Sequence, residues 1–213
     1  MTAVKLRAAS PLSREFFNRD PETVARELLG KLLIRREGRI LLAGRIVEDE
    51  AYLGQEDPAA HAYNGRTARN SVLFGPPGHA YVYFIYGNHY CLNVSCMPEG
   101  QGEGVLFRAM QPVFGLEQMA AARDVDLVAS PRASQVRMIS SGPGRMSEAL
   151  GITRVRDNDK DLTSPRSGLW LAEDGFVPER IVATPRIGIS KAADRPLRFM
   201  IAGNSYVSGK RNS

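Results

Sequence analysis

At 213 residues, with 43% hydrophobic content and a formal net charge of +5, the chain suffices for one domain with a sizeable core. That composition excludes general disorder, and 20 glycines with 13 prolines argue against a helix bundle. The excess of Lys and Arg (28) over Asp and Glu (23) suits an anionic partner such as nucleic acid without requiring one. Cys91 and Cys96 are the only cysteines, and five residues apart on a strand they face opposite sides. A disulfide framework is therefore not expected, and a reducing, cytoplasmic setting is. No apolar run reaches membrane-spanning length, and residues 1–9 hold no apolar leader segment.

Taken in order, residues 1–9 read as a short flexible arm. Ser10-Pro-Leu-Ser-Arg-Glu-Phe-Phe17 reads as a first helical turn offering Phe16 and Phe17 to the core. Asp20-Pro21 is a helix start, an N-cap followed by proline at the first helical position. Val24, Leu28 and Leu29 form one stripe, and Gly30 stops the helix. Residues 31–36 and 39–52 read as a hairpin turning at Glu37-Gly38. Residues 53–78 are rich in Gly, Pro, Asn and Arg and read as a long loop with one short helical turn. A loop of that length in a compact domain is often functional. Residues 80–86 and 89–97 form a second hairpin around Gly87-Asn88. A third strand spans 104–110 and ends before Pro112, and a helix over 114–123 turns Leu116, Met119 and Ala120 inward. Residues 124–140 carry no clear signal. A short helix over 143–150 closes at Gly151, three strands follow near 168–172, 181–189 and 197–202, and 208–213 is a flexible tail. Helices and strands are segregated, not alternating. The class is α+β: a single domain over 10–207 with a curved, mostly antiparallel sheet surrounded by short helices and long loops.

The most informative stretch is Arg45-Ile-Val-Glu-Asp-Glu-Ala-Tyr52, a strand carrying three acids near its end. Alternation puts Glu48 and Glu50 on one face, roughly 6–7 Å apart, and Asp49 on the other. A same-face pair can polarise water or stabilise a cation, although an exposed acidic strand end would read the same way. In Tyr81-Val-Tyr-Phe-Ile-Tyr86, Tyr81 and Tyr83 share a face while Tyr86 stands at the turn. Tyr81 reads as core, because half-buried aromatic faces usually are. Tyr86 is free to protrude, and an aromatic there could stack on a base at roughly 1–3 kcal/mol. Arg66, Thr67 and Arg69 supply guanidinium forks and a hydroxyl of the kind that meet phosphate oxygens. His61, His79 and His89 match no zinc spacing, so no metal is expected. Gly142-Pro-Gly144 precedes a helix but lacks the lysine and spacing of a phosphate-binding loop, and reads as a turn.

Together these residues resemble the alkyladenine (3-methyladenine) DNA glycosylase family. The resemblance is carried by Arg45-Ile-Val-Glu-Asp-Glu-Ala-Tyr52, Ala59-Ala-His61, Gly65-Arg-Thr-Ala-Arg-Asn70 and Tyr81-Val-Tyr-Phe-Ile-Tyr-Gly87. It continues in Cys91-Leu-Asn-Val94, Val105-Leu-Phe-Arg-Ala109, Gly142-Pro-Gly144 and Pro196-Leu-Arg-Phe199, in order along nearly the whole chain. It implies a monomeric, cofactor-independent hydrolase that flips an alkylated or deaminated purine from duplex DNA and cleaves its N-glycosidic bond. By resemblance, Glu50 is the general base, and Arg108 arranges the attacking water and flipped nucleotide. Tyr52, His61 and Tyr83 enclose the base, and Asn93 discriminates against the guanine amine. Tyr86 is the wedge, and Arg66, Thr67 and Arg69 contact phosphates. Asn88 and Leu92 depart from a pattern that often has methionine at both positions, which bears on lesion range and on the grip on the opposing strand. Two other readings are a base-binding module without catalysis, which would not need Glu50, and a carbohydrate hydrolase, which the basic balance disfavours.

Overall fold

The computed structural model describes residues 6, 8–85, 87, 89–127 and 133–209. The first elements are a bridge-length strand β1 (Ser10–Pro11) and one helical turn α1 (Arg14–Phe17). The helical turn expected from Ser10 starts only at Arg14, because Ser10 and Pro11 are drawn out to pair with Glu173 and Ala172. Leu6, in the stretch expected to be a flexible arm, is buried in a cluster with Ile34 and Trp170. Helix α2 (Pro21–Leu28) follows its sequence signals: the Asp20 carboxylate accepts from Thr23 N–H at 2.9 Å, and Val24, Ala25 and Leu28 are buried.

Strands β2 (Leu32–Glu37) and β3 (Ile40–Tyr52) pair down to Glu37↔Ile40, so the turn is Gly38-Arg39, one residue beyond the expected one. The 13-residue β3 is the axis of the sheet. Along one edge lie β2 and then β9 (Arg198–Ile201), and along the other lies β6 (Glu103–Phe114). Strand β6 does not end before Pro112. That proline lies opposite Gly44 beside a register shift, where the ladder is already irregular. Strands β4 (Ala80–Ile85) and β5 (His89–Cys96) pair as far as Ile85↔His89, which leaves three residues between them where a two-residue turn was expected. Tyr86 and Asn88, in that connection, lie outside the described residues.

The sheet runs β1-β7-β2-β3-β6-β5-β4, with β7 spanning Leu169–Glu173 and β8 (Ile181–Thr184) pairing with β9. Every pairing among the described residues is antiparallel. Strand β8 was expected to reach 189 but stops at Thr184, because Pro185 cannot extend the ladder. Helices α3 (Leu116–Ala122), α4 (Ala133–Ser140), α5 (Pro143–Ala149) and α6 (Arg154–Asp157) complete the fold, α4 arising where no element was expected. No helix among the described residues is long and apolar enough to cross a membrane.

Alternation along the strands sorts the sheet into two chemically different faces. Val47, Ala51, Val82, Leu92, Val94, Val105 and Phe107 join the main core with α2 and parts of α3–α5. Tyr81, Tyr83, Cys91 and Leu106 form a second cluster on the opposite face with Val72, Leu73 and Phe74, and Tyr52 packs against it. Those last residues belong to the 53–78 segment, which contains two 3-10 turns, Gly54–Glu56 and Ser71–Phe74, where one was expected. This second face holds the candidate site.

Candidate active site

The β3–β6 register breaks twice where the site lies. Ile46 pairs with Met110, Glu48 with Ala109 and Asp49 with Phe107, so Val47 and Arg108 are each without an opposite partner. Bulges of this kind bend strands and re-aim side chains beside functional sites. Here they bring Arg108 against both glutamates: Nε donates to Glu48 Oε1 at 3.0 Å, and Nη1 lies 3.1 Å from Glu50 Oε1.

Glu48, Asp49 and Glu50 are all 0% exposed, so the stretch is not an exposed acidic strand end. Glu48 accepts from Arg108, from Arg198 Nε at 2.7 Å, and from the Ser208 hydroxyl (2.8 Å) and N–H. Ser208, assigned from sequence to a flexible tail, is thus buried at the site, and its carbonyl accepts from Arg198 Nη2 at 2.9 Å. Glu50 accepts two hydrogen bonds, from Ile187 N–H at 2.8 Å on Oε1 and from the Tyr52 hydroxyl at 3.0 Å on Oε2, while Arg108 Nη1 faces Oε1 as an ion pair. A carboxylate has about four acceptor positions, so the hydrogen bonds among the described residues leave room on it for a further donor. Asp49, on the opposite face, finds no hydrogen-bond partner among the described residues. Burial first, and then the charges of Glu48 and Glu50, push its carboxyl well above the usual range. Burial alone would lower Arg108, but Glu50 and Glu48 outweigh it and hold the guanidinium above its usual value.

A cavity of about 470 Å³ opens beside this network. Tyr52, His61, Tyr83, Asn93 and Arg108 all line it. Glu50 stands directly behind, screened by Tyr52, Arg108 and Ile187. The rings of His61 and Tyr83 meet edge-on at 4.4 Å, and Tyr81 stacks beside Tyr83 at 5.5 Å. Tyr81 is core, as expected, yet it also lines the cavity and its hydroxyl bonds His61 Nδ1 at 2.9 Å. Burial and the nearby Arg69 lower the His61 pKa, so the ring is neutral at neutral pH. Burial first and then Glu50 raise the Tyr52 phenol, keeping it a donor to that carboxylate. Asn93 Nδ2 donates to Tyr81 O at 3.2 Å, which orients its amide in the cavity wall.

Arg66, Thr67 and Arg69 occupy the exposed rim, with the Arg69 guanidinium carbon 6.0 Å from the Tyr83 ring centroid. That rim is pinned by Asn70, which sequence reasoning passed over. Its side chain accepts from Thr67 N–H (2.6 Å) and donates to the carbonyls of His61 (2.9 Å) and Gly65 (3.0 Å). Gly142, Pro143 and Gly144 line the far rim as a close approach: a side chain at Gly144 would strike the His89 ring at 2.8 Å. Also missed were Asp57 and Arg186, a buried ion pair behind Tyr52. Among the described residues no group of three or more His, Cys, Asp or Glu is placed to hold a metal ion.

The family model for methylpurine-DNA glycosylase (MPG) matches residues 15–205. A protein of Koribacter versatilis (strain Ellin345) is 61% identical over 211 residues, covering 99% of each chain. One from Methanoculleus marisnigri is 50% identical over 203 residues (92% of this chain, 98% of its own), and one from Burkholderia cenocepacia (strain HI2424) is 49% identical over 197 (92% and 90%). All three carry the name "Putative 3-methyladenine DNA glycosylase". By these matches the chain belongs to the methylpurine-DNA glycosylase family, enzymes that hydrolyse N-glycosidic bonds of DNA.

Proposed function

We propose that the enzyme acts as a monomer on duplex DNA, flips an alkylated or deaminated purine into the 470 Å³ cavity, and hydrolyses its N-glycosidic bond with a Glu50-activated water. The substrate class is 3-methyladenine, 7-methylguanine, hypoxanthine and ethenoadenine. The observation that carries this reading is one buried carboxylate, only partly satisfied by hydrogen bonds and paired with Arg108, set behind a wall of aromatic rings. The acceptor position left on Glu50 is assigned to the water.

In this reading, Glu50 takes a proton from water as the oxygen bonds to C1′, and the C1′–N bonding pair leaves with the base. A 3- or 7-alkylated purine is already cationic and departs neutral, so a single carboxylate suffices for it, whereas neutral hypoxanthine and ethenoadenine must take up a proton as they leave. Arg108, held by Glu48, orients the water and the nucleotide. Tyr52, His61 and Tyr83 enclose the base. The His61 carbonyl is occupied by Asn70, which leaves its N–H for the base edge. Asn93 is assigned discrimination against the guanine amine, and Arg66, Thr67 and Arg69 the phosphates. Tyr86 is assigned the wedge that fills the vacated stack, a step needed because flipping costs a few kcal/mol.

Incubation with duplexes carrying 3-methyladenine, ethenoadenine or hypoxanthine should produce alkali-labile abasic sites. Glu50→Gln should abolish them and leave DNA binding, and unchanged cleavage by that variant would sink the assignment. Tyr86→Ala should weaken lesion binding without altering the melting temperature.

A further inference from the structure

Arg186 is 5% exposed and does not line the cavity, yet it lies against Tyr52 and adjoins Ile187, the two residues that donate to Glu50. Its fork closes on Asp57: Nη2 donates to Oδ1 at 2.8 Å and Nη1 to Oδ2. Nη1 also donates to Ala51 O at 3.0 Å, at the end of β3. The guanidinium carbon lies 4.6 Å from the Tyr52 ring centroid, a cation–π contact on the ring whose hydroxyl bonds Glu50. The next residue in the chain, Ile187, donates its N–H to Glu50 Oε1 at 2.8 Å. Asp57, 0% exposed, accepts in turn from Ala59 N–H at 3.1 Å and Leu53 N–H at 3.4 Å, fixing the segment that leads to His61.

A carboxylate that must present one lone pair to water needs its other donors held still. Tyr52 and Ile187 supply the two hydrogen bonds to Glu50 among the described residues, and one planar guanidinium holds both, by its face and through the adjoining backbone. We propose that the Asp57–Arg186 pair is a positioning device for the hydrolytic step, keeping the Tyr52 hydroxyl and Ile187 N–H on Glu50 so that the remaining acceptor position meets the water. This rests on the glycosylase reading above. Lysine keeps the charge of Arg186 but has no fork to span Asp57 and Ala51 while lying flat on a ring.

The test is single-turnover release of 3-methyladenine or ethenoadenine from duplex DNA by the full chain, with enzyme titrated to saturation and melting measured in parallel. Arg186→Lys should lower the maximal rate roughly a hundredfold, the usual cost of a misplacement of about 1 Å. The half-saturating enzyme concentration should stay within about threefold. Losses from Arg186→Lys and Tyr52→Phe should combine to less than their product, because both act through one hydroxyl. An unchanged rate overturns the proposal. So does a rate that falls only in step with duplex affinity and melting temperature, which would make the pair a plain structural clasp. If Arg186→Lys fails to fold, Asp57→Asn, which keeps the guanidinium, carries the same readouts. A silent wild type sinks the glycosylase reading itself, whereas an active wild type with an equally fast variant sinks only the role of Arg186.

Discussion

Two buried ion networks sit on this one sheet, and they differ in what lies next to them. At one, Asp157 (0% exposed) accepts both Nη groups of Arg35 at 2.9 Å, with Lys160 at 3.0 Å and Thr153 N–H at 3.0 Å. Burial raises its carboxyl, but bonds from Arg35 and Lys160 prevail and bring it down to about 2. It is saturated and does not line the 470 Å³ cavity. At the other, Glu48 and Glu50 share Arg108, Glu50 keeps acceptor capacity beyond its hydrogen bonds to the described residues, and the cavity begins at the next side chain. Burial and charge pairing are common to both. What separates clasp from site is the unsatisfied position facing a space that a ligand can enter.

The contrast breaks most sharply at Asp157. Asp157→Ala strands Arg35 and Lys160, so chemical denaturation should show a loss of about 3–5 kcal/mol. The folded fraction should still release base at the wild-type rate, and a slower rate would show the two networks to be coupled. Glu48→Gln should do the reverse. It lowers the single-turnover rate roughly a hundredfold by freeing Arg108, at a smaller cost in stability than Asp157→Ala.

Acid titration sharpens the comparison. Because the Asp157 pKa is depressed from 3.8 to about 2, its contribution is present above pH 4 and disappears as pH falls through 2. That difference corresponds to roughly 2 kcal/mol, so Asp157→Asn should flatten the stability profile over that window by about this amount. Asp49 has the opposite sign. Its raised pKa favours folding at low pH, and that advantage is lost as pH rises above about 4. Asp49→Asn should therefore stabilise the protein at neutral pH, on the order of 1 kcal/mol, with the gain vanishing below pH 4. A variant that melts lower at pH 7 would show that Asp49 has a partner in solution.

The candidate site was legible where its residues follow local periodicity. Alternation predicted that Glu48 and Glu50 share a face and Asp49 does not, and the strands bear this out. Periodicity did not reveal that Arg108 joins them, because its position depends on a bulge, which leaves no mark in the spacing of one strand. Ser208 was read as tail for the same kind of reason. Small polar residues near a terminus look solvated until a buried carboxylate 160 positions away supplies a partner.

By itself, the sequence determined the antiparallel class, the helix start at Asp20-Pro21, the shared face of Tyr81 and Tyr83 and the family to which the chain belongs. These follow from backbone preferences and from motifs kept in order, both readable one segment at a time. Only the tertiary structure decided which charges are saturated and which remain open. The clasps that do so, Arg35 with Asp157, Arg186 with Asp57 and Arg198 with Glu48, join residues 122, 129 and 150 positions apart. A buried charge takes its meaning from the partner it finds and from the space it borders, and both arise only when distant strands meet.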